Sequence, residues 1–282
     1  MKKLWKLFGK KSGIYRKLLF SFLIILGIPI VASAFFYTCT MNMAKRQSDR
    51  MGQNILRMTK NDIDAYLEGA RKFESRWYMD ENVREMADIK GEISREHAQT
   101  MVDIFRELVK QTAAENNLKK AFIWFEGSDK VISTDGNMDL DMYYQLYMEN
   151  TQTSIKEFRE LLGKHHQYDT MVLTENDGDK KLIMMLSLKN SRSEADAATI
   201  GLMLDQKRIQ ESFPSAGRGE SDIELMILSE SGDIIGAENS VFHLDTPDYN
   251  KFRQNNRYME NGINGKLWVT SMTSGQTNWT YL

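Results

Sequence analysis

The sequence contains little cysteine and little proline. Cys39 is the only cysteine among 282 residues, so no disulfide can form within the chain, and its folded part must be held by an apolar core. The prolines are Pro29, Pro214 and Pro247. Because proline interrupts helices, the stretch between Pro29 and Pro214 is free to form long ones.

Motifs of common catalytic sites are also lacking. The four histidines, His97, His165, His166 and His243, include no pair at i and i+4 around a glutamate, as a zinc hydrolase would need. No Gly-x-Ser-x-Gly elbow occurs, and residues 9–12 lack the upstream glycine of a phosphate-binding loop. We therefore expect no enzymatic activity, no metal and no cofactor.

One acidic stretch, residues 135–141, carries side-chain oxygens at alternate positions, as calcium loops do. An EF-hand loop needs glycine at its sixth position and glutamate at its twelfth, where this sequence has Leu140 and Leu146. We interpret the stretch as a polar loop before a helix whose N-cap is Asp139 or Asp141.

Charge is distributed unevenly along the chain. The first 17 residues contain seven cations and no acid, which leaves 30 cations against 39 acids in the remainder, a net charge of −9. Binding to nucleic acid requires a cationic face. We therefore expect no nucleic-acid contact by these residues.

A long uncharged segment follows the basic tail. Leu18–Tyr37 is strongly apolar over 20 residues, which at about 1.5 Å per residue reaches about 30 Å, the thickness of a hydrocarbon core. The flanking cations predict a cytosolic tail at 1–17, a transmembrane helix at 18–39 in the cell membrane, and an extracellular remainder. The alternative is a signal peptide cleaved near Ala32-Ser33-Ala34, although the apolar run continues beyond that point.

Residues 40–117 are predicted to form a long helical stalk. Apolar residues recur at helical spacing on one side of it, namely Met51, Ile55, Met58, Tyr66, Ala70, Phe73 and Trp77. A second apolar stripe begins at Met101. Because the first stripe needs covering, we expect a homodimer formed through this helix.

Strand patterns begin after Asn116-Asn117. In a first unit, 118–213, residues 121–125 and 131–133 predict a hairpin around Gly127. A helical stretch at Met142–Leu162 and strands at Lys181–Leu188 and Ala198–Leu204 follow.

A second unit, 220–282, repeats this order after a linker-like segment, 213–219. Its predicted strands are Glu224–Leu228, Ile234–Gly236 and Lys266–Met272, and a closing hairpin ends at Leu282. The predicted fold class is therefore α+β, with two related antiparallel-sheet units.

The basic tail, the membrane helix reading LLFSFL and then GIPI, the outgoing helix, and two PAS-like units closed by Trp279-Thr280-Tyr281 resemble the double Cache sensor region of Gram-positive membrane receptors. Membrane-bound AraC-type transcriptional regulators are most similar, and YesM-type sensor histidine kinases are next. This resemblance implies an extracellular small-molecule sensor. A membrane-tethered extracellular binding protein is the alternative.

In such receptors a small solute binds between the sheet of the membrane-distal unit and the helix and loop that cover it. The resemblance places these candidates in the pocket: Trp124, Asp135, Tyr143, Tyr144, Tyr147, Tyr168 and Asp169. Asp135 or Asp169 would be the acid that meets an amine. The family would also add a second membrane helix and a cytosolic output domain, so we expect this chain to be a fragment.

Overall fold

The computed structural model describes residues 13–115, 118–191, 195–213, 225–230, 232–238, 257–262 and 265–282. The basic tail as far as Ser12, the pair Asn116-Asn117, the linker from Pro214 onward, and His243 lie outside the described residues. The chain divides into two compact units, Met1–Gln53 and Asn54–Leu282.

The first helix, α1, spans Gly13–Tyr78 and includes Pro29. Its segment from Leu18 to Tyr37 exposes its large apolar side chains. Of the helices that the structure describes, α1 alone has a stretch long and apolar enough to cross a membrane. The prediction of an N-terminal apolar helix that continues into a long helix is confirmed.

The later part of α1 packs on the protein's own core. Tyr66, Ala70, Phe73 and Trp77 are buried there, whereas Met51 and Met58 are exposed. The prediction that the whole stripe must be covered by a second subunit is therefore wrong for Tyr66, Phe73 and Trp77, because they are buried within the single chain. Two shorter helices follow, α2 at Glu81–Ala87 and α3 at Arg95–Ala114.

A six-stranded antiparallel sheet forms the first sheet unit. Its strands are β1 (Leu118–Phe125), β2 (Lys130–Ser133), β3 (Gly136–Asp139), β4 (Gln167–Thr174), β5 (Lys180–Lys189) and β6 (Asp196–Leu204), in the order β3-β2-β1-β6-β5-β4. The predicted first hairpin is confirmed by the pairing of Trp124 with Val131. The strands predicted around 181–188 and 198–204 are β5 and β6.

The helix predicted at Met142–Leu162 is wrong as a single element. It consists of α4 (Leu140–Tyr147) and α5 (Ile155–Leu162). The Thr151 hydroxyl donates to the Met148 carbonyl after α4, and Ser154 begins α5 with a capping box. Asp139 is the N-cap of α4. β4 was not predicted, and β3 lies where a polar loop was predicted.

The second sheet unit contains α6 (Gln206–Glu211), β7 (Leu225–Leu228), β8 (Ile234–Glu238), β9 (Arg257–Gly262), β10 (Gly265–Thr270), β11 (Met272–Thr273) and β12 (Thr280–Tyr281). Four strands form a sheet in the order β11-β12-β7-β8, and β9 pairs with β10. The closing hairpin is confirmed, since Met272 pairs with Tyr281.

The six-stranded sheet is covered on both faces. Alternate β1 residues, Ala121, Ile123 and Phe125, join a core formed with α1, α2 and α3. Phe122 and Trp124 point the other way, into a second core with α4 and α5. This second face contains most of the residues predicted to line a pocket.

Candidate functional site

The second sheet face has an aromatic cluster, which we define as Phe122, Tyr143 and Tyr147. Tyr143 lies between the other two, with its ring centroid 5.0 Å from that of Phe122 and 5.0 Å from that of Tyr147. Phe122 has room because its strand neighbour is Gly201, where an added Cβ would come within 2.2 Å of the Phe122 ring. The sequence thus places a flat ring directly on the sheet.

A tight turn between β2 and β3 places Asp135 beside this cluster. The Ser133 hydroxyl accepts from the Asp135 amide at 3.2 Å and donates to the Gly136 carbonyl at 3.1 Å. Thr134, in the same turn, donates its amide to the Ala121 carbonyl of β1. The backbone at Asp135 is therefore fixed to the sheet by its own turn.

Lys120 of β1 completes the arrangement. Its ammonium lies 2.6 Å from a carboxylate oxygen of Asp135 and 4.1 Å from the centroid of the Tyr147 ring. The hydrogen bond from Lys120, and after it one from the Tyr147 hydroxyl, lower the pKa of Asp135. Burial and the hydrogen bond to Asp135 raise the pKa of Tyr147 to about 12. At neutral pH the site combines a carboxylate, an ammonium and a neutral phenol.

Tyr143 supplies a polar group at the base of the cluster. Its side chain is 1% exposed, and its hydroxyl has no hydrogen-bond partner among the described residues. Burial raises the pKa of this phenol well above its ordinary value. An unpaired buried hydroxyl is costly and normally finds a partner in a protein group, a water or a ligand.

Two further predicted residues belong to the same core but use their polar ends elsewhere. The Trp124 indole donates to Asp129 at 3.2 Å, near the turn after β1. The Tyr144 hydroxyl donates to the Thr153 carbonyl at 2.8 Å. Both side chains therefore support the cluster, and their hydrogen-bonding groups are already occupied.

The structure separates the last two predicted residues from the cluster. The Tyr168 hydroxyl lies 2.7 Å from that of Ser75 on α1, and the Arg71 guanidinium lies 5.8 Å from its ring centroid. Asp169 lies 3.2 Å from a ring nitrogen of His166. Asp135, Tyr143 and Tyr147 are thus brought together, whereas Tyr168 and Asp169 are not.

Sequence reasoning did not select Lys120 or Phe122 as site residues. The signal that pointed to them was the alternation of β1, which puts residues 120, 122 and 124 on one side of the strand. Of that set, only Trp124 was predicted as a pocket residue, by its position in the sequence.

The acidic stretch at 135–141 is neutralised by the chain's own cations. Asp135 pairs with Lys120, Asp139 with Lys130, and Asp141 with Arg159. The nearest approach to a metal-binding group in the described residues is a set of carboxylates around the turn after β4, namely Glu175, Asp177 and Asp179, in which Glu175 is paired with Lys181.

No protein-family model matches the sequence, and no curated protein matches it by sequence. Solved structures match by fold. The sensor domain of the histidine kinase DctB from Vibrio cholerae has a TM-score of 0.51 at 11% identity, over 81% of this chain and 93% of that one. Lower TM-scores are found for two chemoreceptor domains: 0.48 at 12% identity for Tlp3 of Campylobacter jejuni with isoleucine bound, and 0.46 at 11% for PctC of Pseudomonas aeruginosa in complex with GABA.

The coverage of the Tlp3 match is 81% of this chain and 88% of that one, and the coverage of the PctC match is 83% and 96%. The DctB match shows that this chain shares the fold of that sensor domain. Its apolar N-terminal helix is followed by antiparallel-sheet units. The predicted α+β fold class is confirmed.

Proposed function

We propose that this chain is the extracytoplasmic small-molecule sensing region of a membrane receptor. The observation that carries the proposal is the aromatic cluster, which combines a buried unpaired Tyr143 hydroxyl with the Asp135 carboxylate on the sheet face covered by α4 and α5. Binding pockets typically combine apolar and aromatic walls with a few convergent polar groups. The sensor-domain fold and the apolar helix support the same function.

The binding test uses the full chain in lipid nanodiscs, screened by thermal unfolding against amino acids, sugars and organic acids. A ligand at 100 times its Kd stabilises the folded state by about 2.7 kcal/mol. We expect at least one compound to raise the unfolding temperature, and Tyr143→Phe to weaken that effect.

The matched control is Tyr168→Phe, which removes a phenolic hydroxyl from the side chain that contacts α1. It should retain the full response. The proposal is wrong if no compound stabilises the chain, or if the two phenylalanine variants respond alike.

Orientation in the membrane follows from the charge asymmetry and is part of the proposal. In a Cys39→Ser background, a cysteine at Lys156, an exposed position, should react with an impermeant maleimide on intact cells. A cysteine at Lys3 should react only after lysis, and an N-terminal tag should remain on the protein if no signal peptide is removed. Labelling of Lys3→Cys in intact cells would contradict this topology.

We propose an AraC-type transcriptional regulator as the receptor's output, with a histidine kinase as the second candidate and a tethered binding protein as the third. The basic tail, the membrane helix and the closing Trp279-Thr280-Tyr281 support the first, and the fold shared with a kinase sensor domain supports the second. The protein purified from its native cells decides between them by DNA binding or by autophosphorylation.

We also propose a homodimer through α1, because this helix exposes methionine side chains. Met51 and Met58 are seven residues apart, and Met58 is 71% exposed in the single chain. A spacing of seven keeps both on one side of a helix and suits a two-helix seam. We expect Met58→Cys in a Cys39→Ser background to form a disulfide-linked dimer under mild oxidation, and Arg57→Cys, one position around the helix, to react less.

A further inference from the structure

Lys120 occupies a position in which proteins bind organic cations. Its ammonium lies against the Asp135 carboxylate at 2.6 Å and over the Tyr147 ring at 4.1 Å. A carboxylate beside an aromatic face supplies both a charge-assisted hydrogen bond and a cation–π contact. The site is therefore built for an ammonium group, and in this structure the ammonium comes from the protein.

Lys120 lies on the same face of β1 as Phe122 and Trp124, because alternate residues of a strand share a face. The pairing of β1 with β6 shifts between Leu118 and Lys120, so one extra residue lies between them. Such a bulge sends the two side chains to opposite faces. Leu118 packs on the α1 side, whereas Lys120 reaches the aromatic cluster.

The contact is exchangeable. The Lys120 and Asp135 side chains are 31% and 41% exposed, and an ion pair with that access to water is weak. The Asp135 amide is held by the Ser133 hydroxyl, and the Tyr147 ring packs on Tyr143, so neither of these contacts depends on Lys120. A flexible lysine stem can swing into solvent without disturbing β1.

We propose that Lys120 is an internal stand-in for the ligand, and that the solute bound by the aromatic cluster has an ammonium group that displaces it. This proposal rests on the sensing function and adds the chemical class of the ligand. The displaced lysine would release its ammonium from the Tyr147 ring of α4, which links occupancy of the site to a change at that helix. The Tyr143 hydroxyl would serve a second polar group of the ligand.

The test empties the subsite and refills it with a small cation. Lys120→Ala is prepared in the full chain in nanodiscs, and binding of n-butylammonium, which reproduces the lysine stem and charge, is measured by calorimetry and by thermal unfolding. We expect at least a tenfold lower Kd for Lys120→Ala than for the unaltered chain. n-Pentanol, uncharged and of similar length, should show no such gain.

Lys130→Ala is the matched control. Lys130 also pairs with a carboxylate, that of Asp139, and makes no ring contact among those that the described residues show. It should bind n-butylammonium no better than the unaltered chain does. Adding Asp135→Asn to Lys120→Ala should abolish the tighter binding of n-butylammonium. Far-ultraviolet circular dichroism and an unfolding temperature within a few degrees of the parent must show that this double variant folds.

The outcomes separate this inference from the proposed function. If n-butylammonium binds the unaltered chain, Lys120→Ala and Lys130→Ala with equal Kd, Lys120 is not a stand-in for the ligand. The same conclusion follows if the lower Kd of Lys120→Ala persists after Asp135→Asn is added. A screened compound without an ammonium group that stabilises the chain through Tyr143 supports the sensing function and overturns the amine ligand. Tight n-butylammonium binding by Lys120→Ala, with no screened compound binding the unaltered chain, supports the subsite and counts against the sensing function.

Discussion

The backbone carbonyl of Tyr147, at the end of α4, accepts a hydrogen bond of 2.6 Å from the ammonium of Lys181 on β5. The same ammonium pairs with Glu175 at 2.6 Å. Its neighbour Lys180 extends to the other sheet unit and donates to the Ile234 carbonyl of β8. Two adjacent residues of one strand thus contact the helix that covers the candidate site and the second sheet unit.

Replacing Lys181 should loosen α4. Lys181→Met leaves the Tyr147 carbonyl and the half-buried Glu175 carboxylate without their cation, which we expect to cost about 2 kcal/mol. Amide hydrogen exchange should accelerate over residues 140–148. Lys156→Met, which removes an exposed ion pair with Glu160 on α5, should leave the exchange of residues 140–148 unchanged. Equal protection of these amides in both variants would show that Lys181 does not hold α4 in place.

Glu74 on α1 should make stability depend on pH. It is 0% exposed, and neither carboxylate oxygen has a hydrogen-bond partner among the described residues. Burial raises its pKa well above the ordinary 4.5; Arg71 opposes the shift and Asp169 adds to it. The folded state therefore holds this proton more tightly than the unfolded state does.

The stability that Glu74 contributes is complete below pH 4.5 and is lost as the pH rises through the folded-state pKa, by at most about 1.4 kcal/mol per pH unit. Urea unfolding between pH 4 and pH 8 should show this loss in the parent chain and a flatter profile in Glu74→Gln. Glu68→Gln, on the exposed side of α1, should keep the parental slope. A parental profile in Glu74→Gln would contradict the assignment.

Gly201 is expected to tolerate no side chain. A methyl group there would meet the Phe122 ring at 2.2 Å and push it toward Tyr143, which overpacks the core at a cost of about 1–3 kcal/mol. Gly201→Ala should lower the urea midpoint and alter the near-ultraviolet circular dichroism of the cluster. Gly69→Ala, in α1 with no atom within 4 Å, should instead stabilise the chain by up to about 1 kcal/mol.

Tyr281 should contribute to stability through its ring and not through its hydroxyl. The ring is fully buried in β12, and the hydroxyl has no partner among the described residues. Tyr281→Ala should cost about 3–5 kcal/mol, as large-to-small changes of buried aromatics do, whereas Tyr281→Phe should be neutral or mildly stabilising. Equal losses in the two variants would show that the hydroxyl has a partner.

Deleting residues 278–282 should destabilise the second sheet unit, because β12 is the strand between β7 and β11. We expect the truncated chain to unfold at a lower urea concentration. The Tyr281→Phe variant, which keeps the full length, is the reference for this measurement. An unchanged midpoint would contradict the sheet assignment.

Local patterns were sufficient for much of the fold. The uncharged segment 18–37, the hairpin around Gly127 and the strands β5 and β6 each follow from hydrophobic runs and turn residues that lie close together in the chain. The division of 142–162 into two helices was missed because a turn with only weak breakers separates them. β4 was missed because its burial is only partial.

Membership of the candidate site was decided by tertiary structure. A side chain's face on a sheet follows from a period of two, and a single extra residue reverses it. Such shifts occur in β1 between Leu118 and Lys120 and in β4 between Gln167 and Asp169. At the first, Leu118 turns to the α1 side while Lys120 stays on the face of Phe122, and at the second Tyr168, with a φ of 63°, contacts α1.

The sequence by itself determined the apolar N-terminal helix, the alternation of helix and strand, and the presence of aromatic and acidic residues suited to a pocket, because these depend on composition and short-range spacing. The pairing of the strands determines which of those residues come into contact. Register and bulges result from the packing of the whole sheet against its covering helices, and no short stretch of sequence contains that information.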